Sequence, residues 1–289
     1  MSDINWQNFK VRCSAISKVL SNSRANPTLT DKQREEYNKL KAKEVLTENQ
    51  KVLLAEYETK EANGSKVILS DTCTGYLMEA YAWETQRMQC VTKEIDIEFL
   101  QKGRIVEPQS INLLAIVDDC YYEKNEERIY NDYLSGIPDI YKGTNIIGCE
   151  RLKDIKSVWD YPGFLSKVIS SLDNANKAQL QGYGDICGCQ DLEVAYCLVS
   201  MPEQIVNDYK RRLFYKLNVV TEESPEYIAA WEELSRSMYF DCIPIHKRVH
   251  KIKVEPFTKE EQTRLYDRVK VCRDWLSQFH ENYEELNLR

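Results

Sequence analysis

The chain has 289 residues, with 39 Lys and Arg against 46 Asp and Glu, which leaves a net charge of −7. That length suits one large domain or two small ones and can bury a core without disulfide staples. The charge excludes a protein that coats nucleic acid through bulk positive charge, though not one with a local basic groove.

No run approaches the roughly 18 apolar residues of a membrane helix, so no membrane partner is expected. The opening MSDINWQNFKVR has neither an apolar centre nor a cleavage site, so no secretory leader is expected either. Ten cysteines are scattered mostly among apolar residues, as in VAYCLV (194–199). Reduced thiols packed as small hydrophobes in a cytosol fit that pattern.

Residues 1–27 read as a short amphipathic helix around Ile16, Val19 and Leu20. In 28–62, Thr30 could cap a helix that has Asp31 in its first turn. Tyr37, Leu40, Val45, Leu53, Leu54 and Tyr57 recur there at mostly helical spacing, with a break at TEN (47–49). This predicts a charged helical hairpin inserted near the N-terminus. A helix is expected over 70–92, where Leu77 and Tyr81 share a face, and another over 104–118, with Ile111, Leu114, Ala115 and Val117 apolar.

From about 127 the pattern turns to strands broken by Gly136, Pro138 and Gly143. A helix is expected from Gly163 to Ile186. LEVAYCLVS (192–200) is a continuous β-rich run, the mark of a strand buried on both faces. The chain after Pro202 reads as mostly helical, with an extended piece at 248–255. The whole, 1–289, is expected to be one α/β domain, its core within 100–200 and a mostly helical part at 202–289.

The chemistry-bearing residues fall between Gly103 and Tyr183. Glu107 opens a helix in KGRIVEPQS, and Asp139 ends a strand in SGIPDI. Asp154 and Lys156 lie two apart in LKDIKS, which in a strand means one face, with Ile155 turned to the core. Gln179 and Tyr183 are four apart on a helix and share a face. Each feature alone has a bland reading: a solvated strand edge, a turn, helix packing. Together they supply hard oxygen ligands for Mg²⁺ or Mn²⁺ beside a lysine that can steady charge on a phosphate.

P-D (138–139) followed by D-I-K (154–156) resembles the PD-(D/E)XK nuclease superfamily. The flanking G-x-x-x-E (Gly103 to Glu107) and Q-x-x-x-Y (Gln179 to Tyr183) are similar to motifs of its lambda-type phage exonuclease branch. The resemblance covers about 100–200 with specific motifs and extends more loosely over the rest. It implies a restriction-endonuclease-like α/β fold, a mixed central sheet flanked by helices. It implies that Glu107, Asp139, Asp154 and the carbonyl of Ile155 hold one or two Mg²⁺ or Mn²⁺ ions. Lys156 is then the catalytic lysine, with Gln179 orienting the site and Tyr183 packing it or touching the phosphate backbone. The activity implied is exonucleolytic hydrolysis of linear DNA, 5′→3′ from double-stranded ends, in phage replication or recombination. A bacterial host cytosol, a ring-shaped homo-oligomer, and an annealing or recombination protein as partner go with that reading. GCER (148–151) departs from the pattern by lengthening the approach to the DIK strand.

Other features carry less. Cys187, Cys189 and Cys197 are spaced C-x-C-x₇-C, which fits neither an iron–sulfur cluster of that branch nor a zinc site, so packed thiols are expected. The basic stretch 246–253, including Lys247 and Arg248, could line a DNA path or be a charged edge strand. Arg12 and Ser14 are candidates for holding a 5′-phosphate only by analogy. Neither a Ser–His–Asp arrangement nor a Walker loop is present in the sequence. Two other functions stay open: a non-cleaving DNA-end or protein-binding module on the same fold, and an endonuclease or nickase.

Overall fold

The computed structural model describes residues 4–21, 29, 31–43, 45–63, 68–88 and 98–287. The chain gathers into two compact units, one of residues 1–9, 17–90 and 263–289, the other of 10–16 and 91–262.

The first unit is helical. Helix α1 (Ile16–Val19) begins on a residue of the second unit and continues into the first. Helices α2 (Asp31–Lys41) and α3 (Glu48–Asn63) form the expected hairpin. Leu29, Tyr37, Leu40 and Tyr57 bury its seam, and Tyr57 donates to Glu36 at 2.9 Å. Thr47 and Gln50 exchange hydrogen bonds at the start of α3, a reciprocal cap. The proposed cap Thr30 lies outside the described residues. Helix α4 (Asp71–Gln86) is capped by the Ser70 hydroxyl, which accepts from Cys73 N, and ends at left-handed Arg87. The part of the last helix, α11 (Lys259–Asn287), that lies in this unit sets Cys272 Sγ 3.8 Å from Cys73 Sγ and His280 Nδ1 2.9 Å from the Tyr81 hydroxyl.

Among the described residues of 1–27 the expected single helix is cut short: Ile16–Val19 is the α-helical part, preceded by the two-residue strand β1 (Val11–Arg12). Val11 is fully buried, and β1 runs parallel to β4 (Leu134–Gly136), so pairing overrides the weak helical periodicity.

The second unit holds the sheets. Helix α5 (Glu98–Ile105) and helix α6 (Glu107–Asp118) replace the one helix expected from 104. Val106 breaks them, and Pro108 in the first turn of α6 cannot donate back to the preceding helix. Strands β2 (Glu123–Lys124), β5 (Ile140–Lys142), β6 (Arg151–Ser157), β7 (Leu192–Cys197) and β8 (Val249–Val254) form a five-stranded sheet in the order β2-β5-β6-β7-β8. Strands β6 and β7 are parallel and the other pairs antiparallel. A second sheet, β1-β4-β3, includes β3 (Ile129–Tyr130).

The expected mixed sheet flanked by helices is present. On one face α6 packs Leu113 and Leu114 against Ile155, Ala195 and Cys197. On the other lies α8 (Asn174–Cys187), whose Gly184 sits against Leu192, where a Cβ would approach within 2.7 Å. β7 is buried at every position, as its apolar run predicts. The helix expected over 163–186 is two helices, α7 (Tyr161–Ile169) and α8. The break falls where the Asp173 side chain accepts from Asn176 N and starts a new helix. Beyond β7 come α9 (Glu203–Leu217), α10 (Pro225–Ser235) and, after β8, α11 (Lys259–Asn287). Among the described residues no helix is long and apolar enough to cross a membrane.

Candidate active site

Period-two alternation along β6 sorts its side chains. Lys153 and Ile155 face α6, while Leu152, Asp154 and Lys156 face α8. Register carries the same sorting across the sheet, pairing Asp154 with Val194 and Lys156 with Tyr196.

β5 starts at Ile140, which pairs with Lys153. Two residues before it, the carbonyl of Pro138 is taken by Asn125 Nδ2 at 3.1 Å. The free N–H of Ile155 therefore finds another partner and donates to Asp139 Oδ2 at 2.8 Å. This draws the carboxylate of Asp139 alongside that of Asp154.

Asp154 is fully buried. Gln179 Nε2 lies 3.5 Å from its Oδ1 and donates to the Tyr183 hydroxyl at 2.9 Å. Oδ2 lies 2.8 Å from Lys156 Nζ, yet it accepts no well-aligned hydrogen bond. The distance makes this an ion contact, and the missing alignment leaves a lone pair of that oxygen unused. Tyr183 fits because Gly136 lacks a Cβ where the phenol ring lies. Glu107, the first residue of α6, is one-third exposed and bridges to Lys124 at 3.7 Å.

Burial, then the charge of Asp154, push the Asp139 carboxyl up to about 7, and Glu107 adds to this against the Ile155 N–H and Lys156. Burial also raises Asp154, in spite of Lys156. Burial alone would lower Lys156, but Asp154 and then Asp139 outweigh it, and its pKa is raised. The two carboxyls thus share less than two full negative charges near neutral pH beside a charged ammonium.

A divalent cation would relieve that repulsion. Among the described residues no three His, Cys, Asp or Glu side chains converge on one point. The available set is Asp139, Asp154, whose Oδ2 has only the Lys156 ion contact, and the Ile155 carbonyl, with Glu107 near enough to act on Asp139 through its charge. Such a set fits a hard ion that takes one or two carboxylates and fills its other positions with water and phosphate.

The remaining sequence candidates have other surroundings. Arg12 and Ser14 are exposed, around buried Cys13. Arg248 bonds Asp241 at 2.8 Å, and Lys247 is exposed. Cys197 lies in the α6 core, whereas Cys149, Cys187 and Cys189 are buried close enough together to shift one another's thiols. Cys149 belongs to the GCER departure, whose Gly148 N–H donates to the Cys187 carbonyl at 2.7 Å.

Sequence reasoning missed a buried ion cluster on the α6 face. Lys153 Nζ lies 2.5 Å from both Asp118 and Glu193, and Asp118 also takes Lys251 at 2.6 Å and the Tyr122 hydroxyl at 2.7 Å. An acid at 193, inside an otherwise apolar strand, was the available signal. Buried Lys102 was also missed. It donates to the carbonyls of Val158 and Trp159, both at 2.8 Å, and so ties down the chain leaving β6.

The same arrangement of elements occurs in solved structures. A phage-related exonuclease from Haemophilus somnus 129PT matches with a TM-score of 0.57 at 17% identity, over 96% of this chain and 97% of that one. An alkaline exonuclease (LHK-Exo) from Laribacter hongkongensis matches with a TM-score of 0.54 at 11% identity, over 98% and 97%. Its complex with dAMP matches at 0.53, also at 11% identity, over 98% and 95%. This chain shares the fold of these exonucleases. The likeness is one of fold, spanning nearly the whole of each chain. No protein-family model and no curated protein matches the sequence.

Proposed function

We propose that the protein is a metal-dependent deoxyribonuclease of the PD-(D/E)XK type that removes nucleotides from the ends of linear DNA. The observation that carries this reading is the meeting of Asp139, Asp154 and Lys156, two buried acids and one lysine at the start of β5 and on β6. The fold shared with exonucleases over nearly the full chain supports it. One of those neighbours holds dAMP, a mononucleotide of the kind an exonuclease releases.

Asp139, Asp154 and the Ile155 carbonyl would hold Mg²⁺ or Mn²⁺, with Glu107 acting across water. Such an ion, when bound, lowers the pKa of a water and polarises a phosphoryl oxygen. The remaining work falls to the chain. Lys156, kept charged by Asp154, steadies the negative charge that builds on the phosphate and orients the attacking water. Gln179 holds Asp154 and is held by Tyr183, which fixes the carboxylate against β6. Hydrolysis then needs no protein nucleophile.

The finer proposal is 5′→3′ resection of double-stranded ends in phage recombination, by a homo-oligomeric ring working with an annealing or recombination protein. Linear duplexes labelled at one end or the other, alongside closed circles, test it with Mg²⁺ and with chelator. Release from the 5′ label with circles intact supports the reading. Cutting of closed circles makes the protein an endonuclease or nickase, and binding without cutting makes it an end-binding module.

A further inference from the structure

The register across β6, β7 and β8 sets Lys156, Tyr196 and His250 in one row on the α8 face. The basic stretch on β8 is thereby divided. Lys251 pairs with Ala195 in register and turns to Asp118 on the α6 face. Lys253 pairs with Glu193 and shares that face. His250 alone of the β8 basic residues faces the candidate site.

Tyr196 is the hub of this row. Its ring is buried and stacks on the His250 ring at 6.5 Å between centroids and 16° between planes. Lys167, from α7, sets its Nζ 5.5 Å from the Tyr196 centroid. Asn176, at the start of α8, comes near enough to the Tyr196 hydroxyl to favour its ionised form against burial. Lys167 and His250 are half-buried, and among the described residues neither is paired with a carboxylate. The Lys167 ammonium over the Tyr196 ring thus has no carboxylate competing with a phosphate ligand. Asp173 acts on Tyr196 through its charge, and it is engaged by Asn176 through both its backbone N–H and its amide.

Strands lie about 4.8 Å apart, so His250 is about 10 Å from Lys156 across the row. That is the axial span of about three nucleotide steps on one strand, at about 3.4 Å each.

We propose that Lys167 and His250, oriented by Tyr196, form a backbone subsite that grips DNA phosphates beside the one placed at Lys156. The subsite rests on the nuclease reading and adds where the strand lies: across the sheet toward β8, over the Tyr196 row. Lys167 supplies a full charge and His250 an imidazole N–H.

The test is the salt dependence of binding to a short fluorescent duplex, with Ca²⁺ replacing Mg²⁺. Wild type is compared with Lys167→Ala, Lys167→Arg, His250→Ala and, from the opposite face, Lys253→Ala. Each lost cation–phosphate contact lowers the slope of log K against log salt by about 0.9. The subsite predicts that drop for Lys167→Ala, its recovery in Lys167→Arg, and no drop for Lys253→Ala. His250→Ala weakens binding roughly two- to tenfold, the worth of one hydrogen bond. An unchanged slope in Lys167→Ala, or an equal drop in Lys253→Ala, overturns the subsite while wild-type cleavage leaves the nuclease reading standing. Failure of the wild type to bind or cut DNA overturns both.

Discussion

The carboxylate of Asp139 accepts the backbone N–H of Ile155 at 2.8 Å, and this one bond holds the loop before β5 against the central strand β6. It stands where a ladder bond would otherwise continue, and it puts a second acid next to buried Asp154. Burial of two acids beside a single ammonium leaves Asp139 holding its proton more tightly than a free carboxyl does, and that has a measurable consequence.

A carboxyl raised from its ordinary value to about 7 binds more protons folded than unfolded between about pH 4 and 7. Stability is therefore greatest below the unfolded pKa and is lost as pH rises through the folded one. Metal-free protein should show a falling Tm across that window. Asp139→Asn, which keeps an oxygen for Ile155, should flatten the fall. Thermal scans in chelator at a series of pH values check this. A flat wild-type profile would count against the strained pair.

Lys153 is buried between Asp118 and Glu193. Lys153→Met would leave two acids without their shared cation. The expected loss is about 3–5 kcal/mol in urea unfolding. Adding Glu193→Gln should recover part of it, because the two changes act on one cluster. Strict additivity would show that the cluster is not coupled.

Gly136 and Tyr183 make a second pair whose roles separate. A Cβ at 136 collides with the Tyr183 ring, so Gly136→Ala should cost about 1–3 kcal/mol and disturb the site. Tyr183→Phe removes only the hydroxyl that accepts from Gln179. It should leave Tm nearly unchanged while lowering cleavage. A Gly136→Ala protein as stable as wild type would contradict the packing described.

Much of this site was legible because two of its spacings have only one geometric meaning. Two residues apart on a strand put Asp154 and Lys156 on one face, and four apart on a helix did the same for Gln179 and Tyr183. The break at Asp173 was hidden by an apolar pattern that runs on through it, although an Asp three residues before a free N–H was there to be read. β1 is too short to have a period. The Lys153–Glu193 contact joins residues 40 apart and depends on strand register, which single-chain patterns do not encode. For the same reason the basic stretch at 246–253 could not be divided between faces until β8 was paired.

The central claim is that Asp154 and Lys156 together cleave DNA with a divalent ion. The most direct measurement is single-turnover release of nucleotides from linear duplex by wild type, Asp154→Asn and Lys156→Met, with Mg²⁺ and with chelator. The account predicts Mg²⁺-dependent release by wild type and a loss of at least about 100-fold in each variant, the usual scale for removing a charge-stabilising group, with both variants still folded. Release that persists in chelator, or at wild-type rate in either variant, would contradict it.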